Sequence, residues 1–359
     1  MNPDPRDLLP TEHALQLIDA DGHPVAGDDL KLPDEQTLLD LYRAMVVGRR
    51  FDAQATALTK QGRLAVYPSS RGQEACQIAA ALALRGQDWL FPTYRDSVAL
   101  VSRGVPAAEV LTLLSGGWHS GYDPYEYKCG AQCTPLATNT LHAVGLAHAA
   151  RLKGEDAVAL VLLGDGATSE GDTHEALNFA AVWRVPVIFL VQNNGYAISV
   201  PLSKQTAAPS LAYKGIGYGV RSAKVDGNDV AAVYDAISQA IDHAREGNGP
   251  TLIEAMTYRM EAHTNADDAT RYRQSDEVTQ WLARDPIERL RVYLTDRGVL
   301  DDPLAESIAA AGEDLAAVTR DALNADEELD PTTLFEHVYA EMTPALLAQQ
   351  AMLREELSA

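Results

Sequence analysis

Asp165 and Asn194 are the residues whose types and spacing could do chemistry. Each follows an apolar run: AVALVLL precedes Gly164-Asp165-Gly166, and VPVIFLVQ precedes Asn193-Asn194-Gly195-Tyr196. The stretch between them has a helical pattern, so the segment from Ala157 to Ser199 reads as a strand-helix-strand unit. In an open α/β sheet, ligands bind at the carboxyl ends of the strands. A carboxylate and an amide oxygen at two such ends are hard ligands of the kind Mg²⁺ or Ca²⁺ takes, and Mg²⁺ commonly bridges to a phosphorylated ligand. The backbone carbonyl of Tyr196 adds a third oxygen where the chain turns at Gly195.

Gly164 and Gly166 fit the same picture. Glycine permits positive φ and close approach of a ligand to the backbone. A helix expected to start near Ala167 would turn its free N–H groups toward a phosphate. A nicotinamide-nucleotide site would need Gly-x-Gly-x-x-Gly. The spacing here, Gly164, Gly166 and Gly171, is too long. Asp165 would also repel a pyrophosphate unless a cation came between them. The blander alternatives are a helix cap for Asp165, a turn for Asn193 and Asn194, and helix-dipole partners for Glu170 and Asp172.

The elements that must position these residues alternate. Helices are expected at 34–60 (Asp34 as N-cap), 72–84, 105–115, 137–153 and 229–246, a short strand and turn at 88–97, and strands at 221–227 and 251–259. Such alternation specifies an α/β fold, a mostly parallel sheet with helices on both faces. Residues 1–33, rich in Pro, Asp and Gly, read as an extended N-terminal arm that needs another surface to hold it. The α/β domain is expected over 34–285, and a helical C-terminal extension over 286–359. Loops are expected at 116–134 and 203–219. The polar stretch 260–278 is a lid candidate at the carboxyl edge of the sheet.

Composition narrows the function class. The 359 residues carry a formal net charge of −22, a surface that repels nucleic acid and anionic membranes. Three cysteines, Cys76, Cys129 and Cys133, make no disulfide framework and point to a reducing compartment. Cys129 and Cys133 lack a second pair of soft ligands, which disfavours a zinc site. No apolar run reaches membrane-spanning length. MNPDPRDLLPTEH has the pattern of neither a signal nor a transit peptide. A cytoplasmic location is expected.

The segments GDGATSEGD, NNGYAIS, VDGNDV and EAMTYR make the chain resemble the α subunit of the thiamine-diphosphate-dependent 2-oxo acid dehydrogenases, from roughly Leu38 to Met342. NNGYAIS, VDGNDVAAVY and EAMTYR with AHTNADDATRYR lean toward the branched-chain 2-oxo acid type. Pyruvate and acetoin enzymes carry relatives of the same motifs. The resemblance implies a thiamine diphosphate-binding fold with Mg²⁺ held by Asp165, Asn194 and the Tyr196 carbonyl. It implies that Gly164, Gly166 and Ala167 line the diphosphate. Tyr94 and Arg95 in FPTYRDS match a Tyr-Arg pair whose arginine reaches the diphosphate. Arg259 matches another diphosphate-side arginine, and Thr134 and Leu136 match positions near the aminopyrimidine. His263 matches a catalytic loop histidine, where a group titrating near neutrality would serve proton and acyl transfer. The resemblance further implies a β subunit that supplies a glutamate to the aminopyrimidine, an α2β2 heterotetramer, a lipoyl-bearing acyltransferase and a small 2-oxo acid substrate. A catalytically silent cofactor-binding subunit is the alternative from another class.

Several positions depart from the family pattern. The Gly-Arg-x-x-Pro-x-His run before the Pro-Leu-Ala-Thr segment is replaced by GYDPYEYKCGAQC. Gln192 stands where branched-chain members often place an arginine. Val66, with Tyr67 beside it, stands where relatives place an aromatic residue for the substrate. Cys133 and Asn139 replace ligands of a monovalent cation near Pro135 and Thr138, so no potassium is expected. Thr264 stands where kinase-regulated relatives carry serine, so no such regulation is expected.

Overall fold

Runs of branched apolar residues bounded by glycine or asparagine form the centre of the molecule. The computed structural model describes residues 8–26, 30–116, 120–325 and 330–359. Residues 1–7 and 27–29 of the expected arm, and 117–119 of the expected 116–134 loop, lie outside the described residues. Asp34 caps α1 (Glu35–Lys60), its carboxylate accepting from the Thr37 amide at 2.8 Å. Next come α2 (Glu74–Ala83), β1 (Trp89–Phe91), α3 (Ser97–Ser102), α4 (Ala107–Leu111), α5 (Pro124–Tyr127) and α6 (Thr138–Lys153). The expected strand-helix-strand unit is β2 (Ala159–Gly164), α7 (Gly171–Trp183) and β3 (Val187–Asn193). A small ribbon, β4 (Tyr196–Ala197) and β5 (Val200–Pro201), precedes α8 (Tyr213–Ile216), β6 (Arg221–Asp226), α9 (Val230–Arg245) and β7 (Thr251–Met256). The chain ends in α10 (Ser275–Leu282), α11 (Pro286–Asp296), α12 (Asp302–Asn324) and α13 (Pro344–Ser358).

Five strands form one all-parallel sheet in the order β1-β2-β3-β7-β6, so the expected α/β fold is borne out. Strand side chains alternate between the two faces. Val161, Leu163, Phe189 and Val191 pack on one face with Ala143 and Ala147 of α6 and Ala176, Leu177 and Ala180 of α7. The intervening Leu160, Leu162, Ile188 and Leu190 are also fully buried. Helix α9 packs on β3, β6 and β7, and α2 packs on α9. Sheets covered on both faces read as continuous apolar runs, as these strands do.

Contacts group the chain into two compact units, 1–322 and 323–359. In the first, Leu290, Leu294 and Leu300 are buried, and α11 packs on α1. In the second, α13 packs on a 3₁₀ turn at Pro331–Phe335. Among the described residues no helix is long and apolar enough to cross a membrane.

The arm lies on the outer edge of the sheet. Leu15 forms a parallel bridge with Val225 of β6, and the Leu17 and Ile18 amides donate to Asp229 Oδ2 at 2.6 and 2.7 Å. The same carboxylate caps α9 through the Ala231 and Ala232 amides. An unpaired strand edge is a template for association, and covering it removes that hazard.

Some boundaries differ from expectation, each for a local reason. Helix α7 does not start near Ala167. A 3₁₀ turn, Gly166–Ser169, comes first, held by the Thr168 amide and hydroxyl on the Asp165 carbonyl and by Thr173 Oγ1 on the Ala167 carbonyl. The last strand stops at Met256 rather than running to Arg259. From there Thr257 Oγ1 donates to the Gly72 carbonyl at 2.5 Å, and the Met260 amide donates to the Arg71 carbonyl at 3.1 Å. This seam draws residues 257–260 to the start of α2. The 116–134 and 203–219 loops carry single helical turns, α5 and α8, and α10 already begins at Ser275 within the lid candidate.

Gly72 makes the seam possible. Its φ is +96°, and a Cβ there would stand 2.0 Å from the Tyr258 carbonyl oxygen. Gly72→Ala should lower unfolding free energy by about 1–3 kcal/mol or more, read by urea denaturation. It should also shift Gln73 and Arg259, read as weaker ligand binding beyond the stability loss.

Candidate active site

Four adjacent strands deliver the site residues to one edge of the sheet. The register pairs Gly164 with Gln192 and Asn193 with Met256, so the residues beyond these strand ends emerge side by side. Asp165 follows β2, Asn194 follows β3, Arg259 follows β7, and Tyr94 and Arg95 follow β1. Together with His263 they line one cavity of about 200 Å³.

One wall is cationic. Arg95 and Arg259 are 5% and 1% exposed, and no carboxylate lies within ion-pair reach of either among the described residues. Carbonyl oxygens hold them instead. Arg95 donates to the Ser69 and His263 carbonyls at 3.0 Å each, and Arg259 donates to the Ile198 carbonyl and the Tyr272 hydroxyl at 2.8 Å each. Arg259 Nε is buried without a partner. A buried cation without an acid is costly, and two together are a receptor for an anion.

The loop under Arg95 has its own anchor. Asp52 of α1, fully buried, accepts from the Tyr67 hydroxyl at 2.8 Å and from Ser69 Oγ and the Ser70 amide at 2.7 Å each. Ser70 Oγ then donates to the Arg95 carbonyl at 2.8 Å. Burial pushes the Asp52 carboxyl up to about 6, opposed by these three hydrogen bonds. Tyr67 is thereby committed to the core, and neither it nor Val66 lines the cavity.

His263 sits between the arginines. Its Nδ1 is 3.1 Å from Arg95 Nη2 and 3.3 Å from Arg259 Nη1. Guanidinium can only donate, so Nδ1 accepts and the ring proton sits on Nε2. Burial, then Arg95 and Arg259, pull the His263 pKa down to about 4, against a smaller upward pull from Asp267. Burial first, and then the two cations, therefore favour the neutral imidazole in this arrangement. The Tyr94 ring meets the imidazole edge-on at 6.0 Å. The His263 amide donates to Asp267 Oδ2 at 2.8 Å, and Tyr272 also bonds to Asp267, which folds the lid segment onto the site.

The opposite wall is anionic and oxygen-rich. Asp165 is 1% exposed, and burial raises its carboxyl above the usual range, opposed by Gln205 Nε2 at 2.6 Å from Oδ2. Asn194 Oδ1 accepts from the Tyr196 amide at 3.2 Å, closing a turn at Gly195. Positive φ occurs at Gly195 (+86°) and not at Gly164 or Gly166. The latter two matter for space. A Cβ on Gly164, which lines the cavity, would meet nothing within 4 Å, and one on Gly166 would stand 2.8 Å from the Ala197 Cβ. Among the described residues no group of three His, Cys, Asp or Glu gathers anywhere. One carboxylate, one amide and one carbonyl are instead the sparse oxygen set that suits a Mg²⁺ sharing its coordination with a phosphorylated ligand.

The cavity brings together Tyr94, Arg95, Leu136, Gly164, Asp165, Gly166, Ala167, Asn194, Tyr196, Arg259 and His263, and it leaves Thr134 exposed outside its lining. It adds Gln73, Thr93, Glu170, Gln192, Ala197 and Ile198. Gln192 had a strand-end position as its signal. Gln73 had none, because it reaches the site from the other side of the Gly72 seam.

A parallel sheet that gathers two acid-free arginines, a carboxylate and an amide oxygen around one cavity at its carboxyl edge defines an α/β protein with a charged site at the strand ends. Residues 42–331 match the model of the dehydrogenase E1 component family. The chain is 49% identical over 346 residues to the 3-methyl-2-oxobutanoate dehydrogenase subunit alpha of Mycobacterium tuberculosis, covering 96% of this chain and 94% of that one. It is 40% identical over 348 residues to the pyruvate dehydrogenase E1 component subunit alpha of Staphylococcus aureus, covering 96% and 93%. The chain belongs to the dehydrogenase E1 component family, the thiamine-diphosphate-dependent 2-oxo acid dehydrogenases to which GDGATSEGD and NNGYAIS pointed.

A histidine held at about 4 in the fold and near 6.5 when unfolded binds its proton first in the unfolded chain. Its contribution to stability is full above pH 6.5 and is lost as pH falls toward 4. His263→Gln should therefore flatten the fall of the urea midpoint between pH 6.5 and 4 relative to the unmodified chain. Equal slopes in the two proteins would contradict the assignment.

Proposed function

We propose that this chain is the α subunit of a branched-chain 2-oxo acid dehydrogenase. With a β subunit it would bind Mg²⁺–thiamine diphosphate, decarboxylate a 3-methyl-2-oxobutanoate-type acid and acylate the lipoyl group of an acyltransferase. The observation that carries the reading is the acid-free pair Arg95 and Arg259 facing Asp165 and Asn194 across one cavity. That is the charge arrangement a diphosphate bridged by a divalent cation requires. Thiamine diphosphate, when bound, supplies the carbon nucleophile and electron sink for decarboxylation.

The chain's own residues divide the work. Asp165, Asn194 and the Tyr196 carbonyl would hold Mg²⁺. Arg95 and Arg259, with Tyr94 against Arg95 and the backbone of Gly164, Gly166 and Ala167, would hold the diphosphate. Leu136, 39% exposed at the rim, offers apolar surface to the rest of the cofactor. His263 would keep a proton at Nε2 for donation, and an anion beside the two arginines would offset the repulsion that now depresses its pKa. Asp267 and Tyr272 would order the lid and limit water.

A cavity of about 200 Å³ falls below the range of roughly 300–1,000 Å³ usual for a whole small-molecule site, which supports a site completed by a second chain. The higher identity to the branched-chain relative favours that substrate. The pyruvate reading has one observation of its own, Gln192 where branched-chain members often carry arginine. The net charge of −22 supports a cytoplasmic protein that binds neither nucleic acid nor anionic membranes.

The test is 2-oxo-acid-dependent dye reduction by this chain co-purified with its β partner, with and without thiamine diphosphate and Mg²⁺. Cofactor-dependent turnover favouring 3-methyl-2-oxobutanoate over pyruvate is expected. Preference for pyruvate would move the chain to the sister activity, and no turnover with either acid by an intact complex would sink the reading. Removing one charge-assisted contact costs about 1.5–3 kcal/mol. Arg259→Met should therefore weaken thiamine diphosphate binding by roughly 10–100-fold by calorimetry, and Asp165→Ala should abolish metal-dependent binding.

A further inference from the structure

An unbroken chain of side-chain amides, all three at the cavity lining, ends on a buried carboxylate. Asn194 Nδ2 donates to Gln73 Oε1 at 3.0 Å, Gln73 Nε2 donates to Gln192 Oε1 at 3.0 Å, and Gln192 Nε2 donates to Asp96 Oδ1 at 2.7 Å. All four residues are buried, at 6%, 2%, 2% and 0% exposure. The other Asp96 oxygen is held by the Thr93 amide at 2.7 Å and hydroxyl at 2.6 Å.

A carboxylate anchor gives this chain a direction. An ionised carboxylate only accepts, so Gln192 must point its NH₂ at Asp96. Its oxygen then faces Gln73 and demands the NH₂ of Gln73. The Gln73 oxygen in turn demands the NH₂ of Asn194. Each amide has two orientations of nearly equal shape, and the carboxylate at the end selects one for all three. The consequence lands on Asn194, which keeps its nitrogen on the relay and turns its oxygen, one lone pair of which accepts from the Tyr196 amide at 3.2 Å, toward the cation site. The reverse orientation would aim an NH₂ group at a metal.

We propose that Gln73 and Gln192 are positioning residues that transmit the polarity of Asp96 to Asn194, so that its oxygen faces the cation site. This rests on the metal reading of Asn194 given above. Asn193 has the direct version of the same device: its Nδ2 donates to Glu254 Oε1, a buried carboxylate, at 2.7 Å, and its Oδ1 accepts from the Gly195 amide at 3.2 Å. Each asparagine of the pair is thus oriented by a buried acid, Asn193 at one step and Asn194 at three.

The experiment measures Mn²⁺ binding by the EPR signal of the free ion, with saturating thiamine diphosphate, on the complex of this chain with its β partner. Gln73→Met removes both hydrogen-bonding ends at similar volume. Residues that orient a metal ligand typically cost 10–100-fold in metal affinity when lost, so a loss in roughly that range is expected. Gln192→Met breaks the relay one step further away, should give a smaller loss of the same sign, and serves if Gln73→Met does not fold. The deciding arm repeats both substitutions in an Asn194→Asp background. Aspartate carries oxygen at both positions, so its orientation no longer matters, and the added loss from either substitution should fall to less than about 3-fold.

Unaltered Mn²⁺ affinity in folded Gln73→Met or Gln192→Met complexes would overturn the relay. A loss that persists undiminished in the Asn194→Asp background would overturn it too, because the glutamines would then act through packing or direct ligand contact. No Mn²⁺ uptake by the unmodified complex would overturn the metal reading itself, and the relay with it.

Discussion

Arg95 and Arg259 share one acceptor, the Nδ1 of His263, and among the described residues neither has an acid beside it. Two like charges in a partly desolvated cleft repel, and the rest of the site can be read as what makes that tolerable. Carbonyl dipoles from Ser69, Ile198 and His263 take the place of carboxylates. The imidazole stays neutral because a third cation there would be worse. The scaffold holds the pair in place from behind, through Asp52 and Ser70 on one side and the Gly72 seam on the other. Burial and the neighbouring Arg95 both work against the Arg259 charge, so the pair stands in an arrangement that an anion would relieve.

This constraint explains which acids are close to the cavity and which are not. Asp165 faces the arginines across open space and bonds Gln205 instead. Asp267 is near but is occupied by the His263 amide and Tyr272. A carboxylate placed directly on Arg95 or Arg259 would quench the charge the ligand is meant to find. The chain carries 51 acidic residues against 29 basic ones, so an acid-free basic pair is unusual within its own composition.

The fold was largely legible because its sheet is buried on both faces. Apolar runs ending in GDG and NNG announce strands, and the rule that ligands sit at strand carboxyl ends turns Asp165 and Asn194 into site residues without further help. Arg95, Arg259 and His263 were not legible that way. Arg95 and His263 look like exposed polar side chains and Arg259 like the last residue of an expected strand, 251–259, until a resemblance marks them, because the sheet order that makes the ends of β1, β2, β3 and β7 adjacent involves contacts across much of the chain. Gln73 was invisible for the same reason: its partners Gln192 and Asn194 lie 119 and 121 positions away. The downward pull on the His263 pKa had no local signal, because it comes from burial and from neighbours that no local pattern names. The 3₁₀ turn at Gly166–Ser169 was missed because it rests on two threonine hydroxyls bonding backbone carbonyls, a local choice that periodicity does not record.

The N-terminal arm is tied down by Asp229, which lies 211 positions after Ile18. A ribosome adding about 5–20 residues per second needs on the order of 10–40 seconds to make that stretch. For that interval the Leu17 and Ile18 amides lack the carboxylate that receives them, and the arm is held only by its own local contacts, Val25 on Leu17 and Ile18 beside Pro24, until β6 offers its edge to Leu15. A segment made early is therefore anchored late, and the nascent chain must keep it soluble while it waits.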